Sequence, residues 1–159
     1  MIKDKDLSNI KMLVMDVDGT LTDGKIYVGE HGEVFKAFNV KDGYRLINIS
    51  KYNIIPMIIT GKQSEILSKR AAELKIEEVH QGVDDKLKVL DEIIKRYNLS
   101  YDNVAYIGDD VNDLECMKVC YLKACPADAL DEVISIVDYV CKSNGGNGAV
   151  REFIDLIIM

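Results

Sequence analysis

Residues Met12 to Gly24 read MLVMDVDGTLTDG, and the interpretation of the whole chain turns on this stretch. An apolar run, Met12 to Met15, ends in Asp16, passes Val17 and reaches Asp18, Gly19 and Thr20. Such a run reads as a strand buried on both faces, with Gly19 and Asp23-Gly24 marking the turn that follows. Two carboxylates are thereby delivered to the carboxyl end of a buried strand, where ligands bind in open α/β sheets. Two acids at a strand end also occur in solvated loops, so the rest of the chain has to decide between these meanings.

The totals narrow the classes. At 159 residues the chain suffices for one domain, 1–159, burying roughly 70% of its unfolded surface. Charged residues make up 30% and hydrophobic ones 48%, an ordinary globular balance. A net charge of −7 argues against nucleic acid or an anionic membrane as partner. No apolar run approaches the roughly 20 residues of a membrane span, and the N-terminal residues lack a signal-peptide core, so a cytoplasmic protein is expected. Cys116, Cys120, Cys125 and Cys141 form no metal-ligand pattern with His31 or His80, and read as ordinary buried thiols.

Outward from the opening strand, Lys25 to Phe38 predicts a β-hairpin around Gly29 to Gly32. Lys41 to Tyr52 predicts a helix, and Asn53 to Thr60 a second buried strand ending in Thr60-Gly61. A helix over 62–74 and a short strand over 78–80 follow, and a helix starts at Asp84. The strand 104–107 runs into GDDVND, Gly108 to Asp113. Beyond it come a helix, a strand near 121–124, a short helix, a strand over 138–141, a glycine-rich turn (Gly145, Gly146, Gly148) and a helix. Strands alternating with helices indicate a parallel sheet covered on both faces.

Asp16 and Asp18, Thr60, and the Asp109, Asp110 and Asp113 group therefore all follow buried strands and should converge on one sheet edge, with Lys86 close by. Singly, Asp109 or Thr60 could cap a helix and Lys86 could be solvated. Together, acids, a hydroxyl and a lysine suit a phosphoryl group and Mg²⁺. Magnesium takes a few carboxylates, keeping waters and phosphate oxygens for its other octahedral positions. It also neutralises the repulsion between an anionic nucleophile and a phosphate. Asp16 is then the nucleophile and Asp18 the proton donor and acceptor. Thr60 with the Gly61 amide, read as a helix N-terminus, suits a phosphate oxygen, and Lys86 supplies fixed positive charge.

The order Asp16-x-Asp18-Gly19-Thr20, Thr60-Gly61, Lys86, then Gly108-Asp109-Asp110-x-x-Asp113 resembles the haloacid-dehalogenase superfamily of phosphatases. Within it the chain is similar to the small capless branch that contains 3-deoxy-D-manno-octulosonate 8-phosphate (KDO 8-phosphate) phosphatases. The likeness runs nearly end to end, through Phe38-x-x-x-Asp42-Gly43, Gln81-Gly82, AYIGDDVNDL (Ala105 to Leu114) and GGNGAVRE (Gly145 to Glu152). It implies a Rossmann-like, three-layer α/β/α fold with a mostly parallel sheet, a β-hairpin flap and no cap domain. It further implies Mg²⁺ held by Asp16, the Asp18 carbonyl and Asp109, with Asp110 and Asp113 around the metal, and a homotetramer.

Neither connection flanking Thr60 has room for a cap, so the hairpin or the glycine-rich tail (Gly146, Arg151) is expected to complete a neighbour's site. An acidic protein that binds an acidic sugar phosphate needs local positive charge, for which Arg151, Lys62 and Arg70 are candidates. Relatives commonly carry Arg where Lys62 stands, and Gly where Arg45 and Cys120 stand. Arg45 is expected to add bulk and charge near the pocket. The implied substrate is a 2-keto-3-deoxy sugar acid phosphate, KDO 8-phosphate first and a sialic-acid-type 9-phosphate next. A phosphorylation-receiver module places its acids and lysine in another order. A non-catalytic assembly module would be expected to have lost the acids that this chain retains.

Overall fold

Why the acids of distant segments meet is answered by the order of the strands. The structure is a computed structural model that describes residues 2–159, the side chain of Lys3 excepted. Strands β1 (Met12–Met15), β4 (Ile55–Ile59), β5 (Glu78–His80), β6 (Val104–Ile107), β7 (Leu122–Cys125) and β8 (Tyr139–Val140) form a six-stranded sheet in the order β5-β4-β1-β6-β7-β8. Every pairing in it is parallel. Strands β2 (Tyr27–Gly29) and β3 (Gly32–Phe35) form a separate antiparallel hairpin.

The apolar runs alternate between two cores. Leu13, Met15, Ile58 and Ile107 pack under helices α1 (Val40–Asn48), α2 (Glu65–Glu73) and α6 (Ala149–Ile158). Met12, Val14, Met57, Ile59 and Tyr106 pack under α3 (Lys86–Arg96), α4 (Leu114–Val119) and α5 (Asp131–Ile134). Both faces of the sheet are thus covered, as continuous rather than alternating apolar strands require. The three-layer α/β/α architecture matches the expectation. The connection from β1 to β4 holds the hairpin and α1 and no inserted cap. Among the described residues no helix is long and apolar enough to cross a membrane.

Two helix boundaries differ from expectation for local reasons. The first predicted helix ends at Asn48 and continues as a 3₁₀ turn, Ile49–Tyr52, closed by Asn53 in the left-handed region at φ 58°. The helix expected from residue 62 begins at Glu65, because the Ser64 hydroxyl oxygen accepts the Leu67 N–H at 3.2 Å and caps it. Thr60 and Gly61 therefore sit in the loop ahead of α2, not on its first turn.

The glycine-rich turn before α6 backs the loop that follows β1. Gly146 donates its N–H to the Thr20 carbonyl at 3.0 Å. A Cβ on Gly145 would lie 1.9 Å from the carbonyl oxygen of Gly19 and 2.9 Å from that of Thr22. No side chain fits between these backbones, so Gly145→Ala is expected to lower unfolding stability by about 1–3 kcal/mol, seen as a reduced urea midpoint. An unchanged midpoint would mean that the loop and the turn are not tightly apposed.

Candidate active site

Parallel register brings the candidate residues to one edge. Met15 stands opposite Ile58 on one side and Ile107 on the other, and the Asp16 N–H reaches the Ile107 carbonyl at 3.1 Å. One residue beyond β1 is Asp16, one beyond β4 is Thr60, and two beyond β6 is Asp109. These three line a pocket of about 310 Å³ with Asp18, Gly24, Ile26, Gly61, Lys62, Asp110 and Asn112.

Lys86, the first residue of α3, lies beneath this pocket with its side chain 3% exposed. Its ammonium donates to Asp16 Oδ1 at 2.9 Å and to Asp113 Oδ1 at 2.8 Å. Burial alone would push its pKa down, but the two carboxylates outweigh that and hold it above the ordinary lysine value. Asp113 is fully engaged. Its Oδ1 also accepts the Tyr106 hydroxyl at 2.7 Å, and its Oδ2 accepts the N–H groups of Asp109 and Asp110 at 3.1 and 3.3 Å. Gly108 makes room for it, since a Cβ there would stand 2.4 Å from the Asp113 carboxyl carbon.

Asp109 approaches from the other side. Thr20 donates its hydroxyl to Asp109 Oδ1 at 3.0 Å. The second oxygen sits where a Cβ of residue 19 would be, 2.0 Å from that position, and Gly19 holds φ +93°. Glycine is required there on both counts. One oxygen each from Asp16, Asp109 and Asp113 lie within 4.8 Å of one another. Burial, the Asp113 charge and then partial relief from Lys86 push Asp16 up to about 6. Burial and the Asp16 charge push Asp109 up to about 8. Carboxylates crowded in this way favour a proton or a cation between them. Hard oxygen donors suit Mg²⁺ or a similar divalent ion. Asp16 and Asp109 open onto the pocket, whereas the oxygens of Asp113 are committed to Lys86, Tyr106 and backbone. The fit is to an ion held by Asp16 and Asp109, with Asp113 as its support.

The remaining residues sort clearly. Thr60 is buried at the pocket wall, and its hydroxyl has no hydrogen-bond partner among the described residues. Gly61 and Lys62 line the same pocket. Asp18 turns its Oδ1 to the ammonium of Lys36, 2.8 Å away on the hairpin. Arg70, Gly146 and Arg151 do not line it. Arg70 lies over the Phe38 ring, 5.7 Å from its centroid, beside Asp42 and Leu46. Arg151 donates from Nε to Asp155 at 2.7 Å, in a groove with Lys41 and Tyr139. Arg45 pairs with Asp155 and is not near the pocket, because α1 turns it toward α6. Cys120 is buried at the end of α4.

The profile of haloacid dehalogenase-like hydrolases matches residues 62–154. A 3-deoxy-D-manno-octulosonate 8-phosphate phosphatase, KdsC, of Salmonella typhi is 42% identical over 151 residues, covering 95% of this chain and 80% of the relative. The chain belongs to the haloacid dehalogenase-like hydrolase family. Its fold is that of solved members. The KDO 8-phosphate phosphatase of Moraxella catarrhalis, in complex with magnesium, phosphate and KDO, superposes with a TM-score of 0.91 at 39% identity, covering 95% of this chain and 87% of that one. The cobalt-bound phosphatase of Haemophilus influenzae gives 0.92 at 36%, covering 95% and 88%. Lys36 and Tyr106, which contact Asp18 and Asp113, were missed by sequence reasoning, as were Glu33 and Ser64, which reach Asp18 only through Lys36. Tyr106 reads only as part of the β6 core run, and Lys36 carries no signal beyond lying beside an irregular hairpin.

Protons and a divalent cation compete for Asp16 and Asp109. Their folded-state pKa values, about 6 and about 8, lie above the unfolded carboxylate value near 3.8. Protons are therefore held preferentially by the folded chain, and the stability they contribute is lost as pH rises through that window. EDTA-treated protein should melt lower at pH 8 than at pH 5. Mg²⁺ affinity should instead rise on the order of tenfold or more from pH 6 to pH 8 by calorimetry. A pH-independent affinity would place the ion elsewhere.

Proposed function

We propose that this hydrolase is a Mg²⁺-dependent phosphatase that cleaves KDO 8-phosphate, or a closely related 2-keto-3-deoxy sugar acid phosphate, through an aspartyl-phosphate. One observation carries the reading. Asp16 is clamped through Oδ1 by Lys86 at 2.9 Å, with its carboxylate opening into a pocket shared with Asp109 and Thr60. The relatives described above favour KDO 8-phosphate over a nine-carbon sugar acid.

Bound Mg²⁺ would be held by Asp16, Asp109 and the Asp18 carbonyl, and would screen the charge of the phosphoryl group. A carboxylate oxygen of Asp16 attacks phosphorus, and the P–O bond to the sugar breaks. Asp18 gives its proton to the departing sugar oxygen, then takes a proton from the water that attacks the aspartyl-phosphate. Inorganic phosphate and the Asp16 carboxylate result. Thr60, with the Gly61 amide beside it, donates to a phosphoryl oxygen. Lys86 keeps Asp16 in place and opposes the charge that spreads over the transferring group. Lys62, on the exposed wall, faces the acid end of the sugar.

The same reading includes a homotetramer. Val28, Val34 and Phe35 are 71%, 56% and 50% exposed on the hairpin, an apolar patch that a second copy of this chain would cover. Arg70, Gly146 and Arg151 enter the reading only through a neighbouring copy, since none lines its own chain's pocket. A cytoplasmic setting accords with four buried, unpaired thiols.

Asp16→Asn is expected to abolish phosphate release from KDO 8-phosphate in a Mg²⁺ assay with EDTA controls. In the same assay KDO 8-phosphate should exceed sialic-acid-type 9-phosphates in kcat/KM. Turnover at the unsubstituted level by Asp16→Asn would remove the mechanism, and the reverse preference would change the substrate. Val28→Glu with Phe35→Glu should reduce the mass by light scattering from four chains to one and raise KM. A monomeric unsubstituted protein would exclude the tetramer.

A further inference from the structure

The hairpin is exposed along its second strand, yet the residue that follows it is not. Every residue of β3 is exposed, whereas the Lys36 side chain is only 6% exposed. Burying a lysine is costly unless carboxylates pair with it. Two do so here. The ammonium stands 2.8 Å from Asp18 Oδ1 and 2.9 Å from Glu33 Oε1. Glu33 in turn takes the Ser64 hydroxyl on its other oxygen at 2.6 Å. Ser64 is the residue that caps α2. A continuous strap of polar contacts thus runs from the start of α2, through Glu33 and Lys36, to Asp18.

Only one oxygen of Asp18 is used. Oδ1 accepts from Lys36, and Oδ2 has no hydrogen-bond partner among the described residues. Asp18 also sits in a turn with no helix or strand of its own to hold its side chain, directly before Gly19 at φ +93°. Without a partner on Oδ1 its carboxyl would rotate among several rotamers. With Lys36 in place, Oδ2 is the oxygen left for the sugar oxygen that leaves and for the water that attacks.

We propose that Lys36 is a positioning residue for proton transfer, one that holds Asp18 with Oδ2 presented to the leaving oxygen and is itself held by Glu33 and Ser64. The proposal rests on the phosphatase reading above. In the step it serves, the Asp16–phosphorus bond forms as the phosphorus–alcohol bond breaks, and the Asp18 proton goes to the departing oxygen. A leaving group that needs no proton does not need this alignment.

That difference gives the test. Lys36→Met is assayed on KDO 8-phosphate and on two phosphates without a carboxylate, glycerol phosphate, whose alkoxide needs a proton, and p-nitrophenyl phosphate, whose phenolate does not. A positioned general acid contributes on the order of 10²–10⁴ in rate. Lys36→Met is therefore expected to lose roughly 10–100-fold in kcat/KM on glycerol phosphate and less than about threefold on p-nitrophenyl phosphate. Lys36→Arg should restore much of the loss, and Glu33→Gln should reproduce part of it with the same leaving-group bias. Equal losses on both substrates would overturn the proposal in favour of a general structural role. A loss confined to the sugar acid phosphate would overturn it by making Lys36 a ligand of the substrate carboxylate, and no loss would overturn it outright. Asp16→Asn serves as the control. Phosphate release that survives it defeats the Asp16 mechanism on which the proposal rests, whereas release that it abolishes leaves the Lys36 result to stand alone.

Discussion

A single buried ammonium holds the site together. Lys86 bridges Asp16 and Asp113 within 3 Å of each, and no other arrangement of these three groups would be tolerable so far from water. Removing the lysine would strand two carboxylates beside a third, Asp109. Even with it, three carboxyl groups meet one ammonium, which is why Asp16 and Asp109 keep protons up to about pH 6 and about pH 8 unless a cation takes that place. The structural centre and the chemical centre are therefore one set of charges.

The sheet order explains how these groups come within reach. With β1 flanked by β4 and β6, the residues that follow three parallel strands emerge side by side. Close approach then depends on missing side chains. Gly19 yields its Cβ position to Asp109, and Gly108 yields its own to Asp113. Gly108 makes room for an acid of its own motif, and Gly19 for an acid of the motif that follows β6, so the two motifs read as paired surfaces.

Much of this was legible in the residues. The buried strands announce themselves as apolar runs of four or five residues, punctuated where they end by Asp16, Thr60-Gly61, Gly108 and Pro126. Asp16, Thr60, Lys86 and Asp109 were legible because strand alternation with helices forces strand ends onto one edge. Contacts formed by a side chain reaching across the fold were not. Lys36 grips Asp18 from a hairpin whose pattern carries no mark of that contact, and Tyr106 reaches Asp113 from within a strand that reads simply as core. Arg45 reads as a charge near the pocket because charge is visible in a sequence and direction is not; on α1 it points instead to Asp155 of α6, where Arg151 also pairs within its own chain. The start of α2 was misread because a run of polar residues hides which one is the cap, and Ser64, not Thr60, takes that role.

The contact between the Gly145-Gly146 turn and the loop after β1 joins segments more than a hundred residues apart. During synthesis the loop that carries Asp16 leaves the ribosome well over a hundred residues ahead of the turn that backs it. Until those two glycines are made, that loop lacks the backbone surface it rests on in the finished fold.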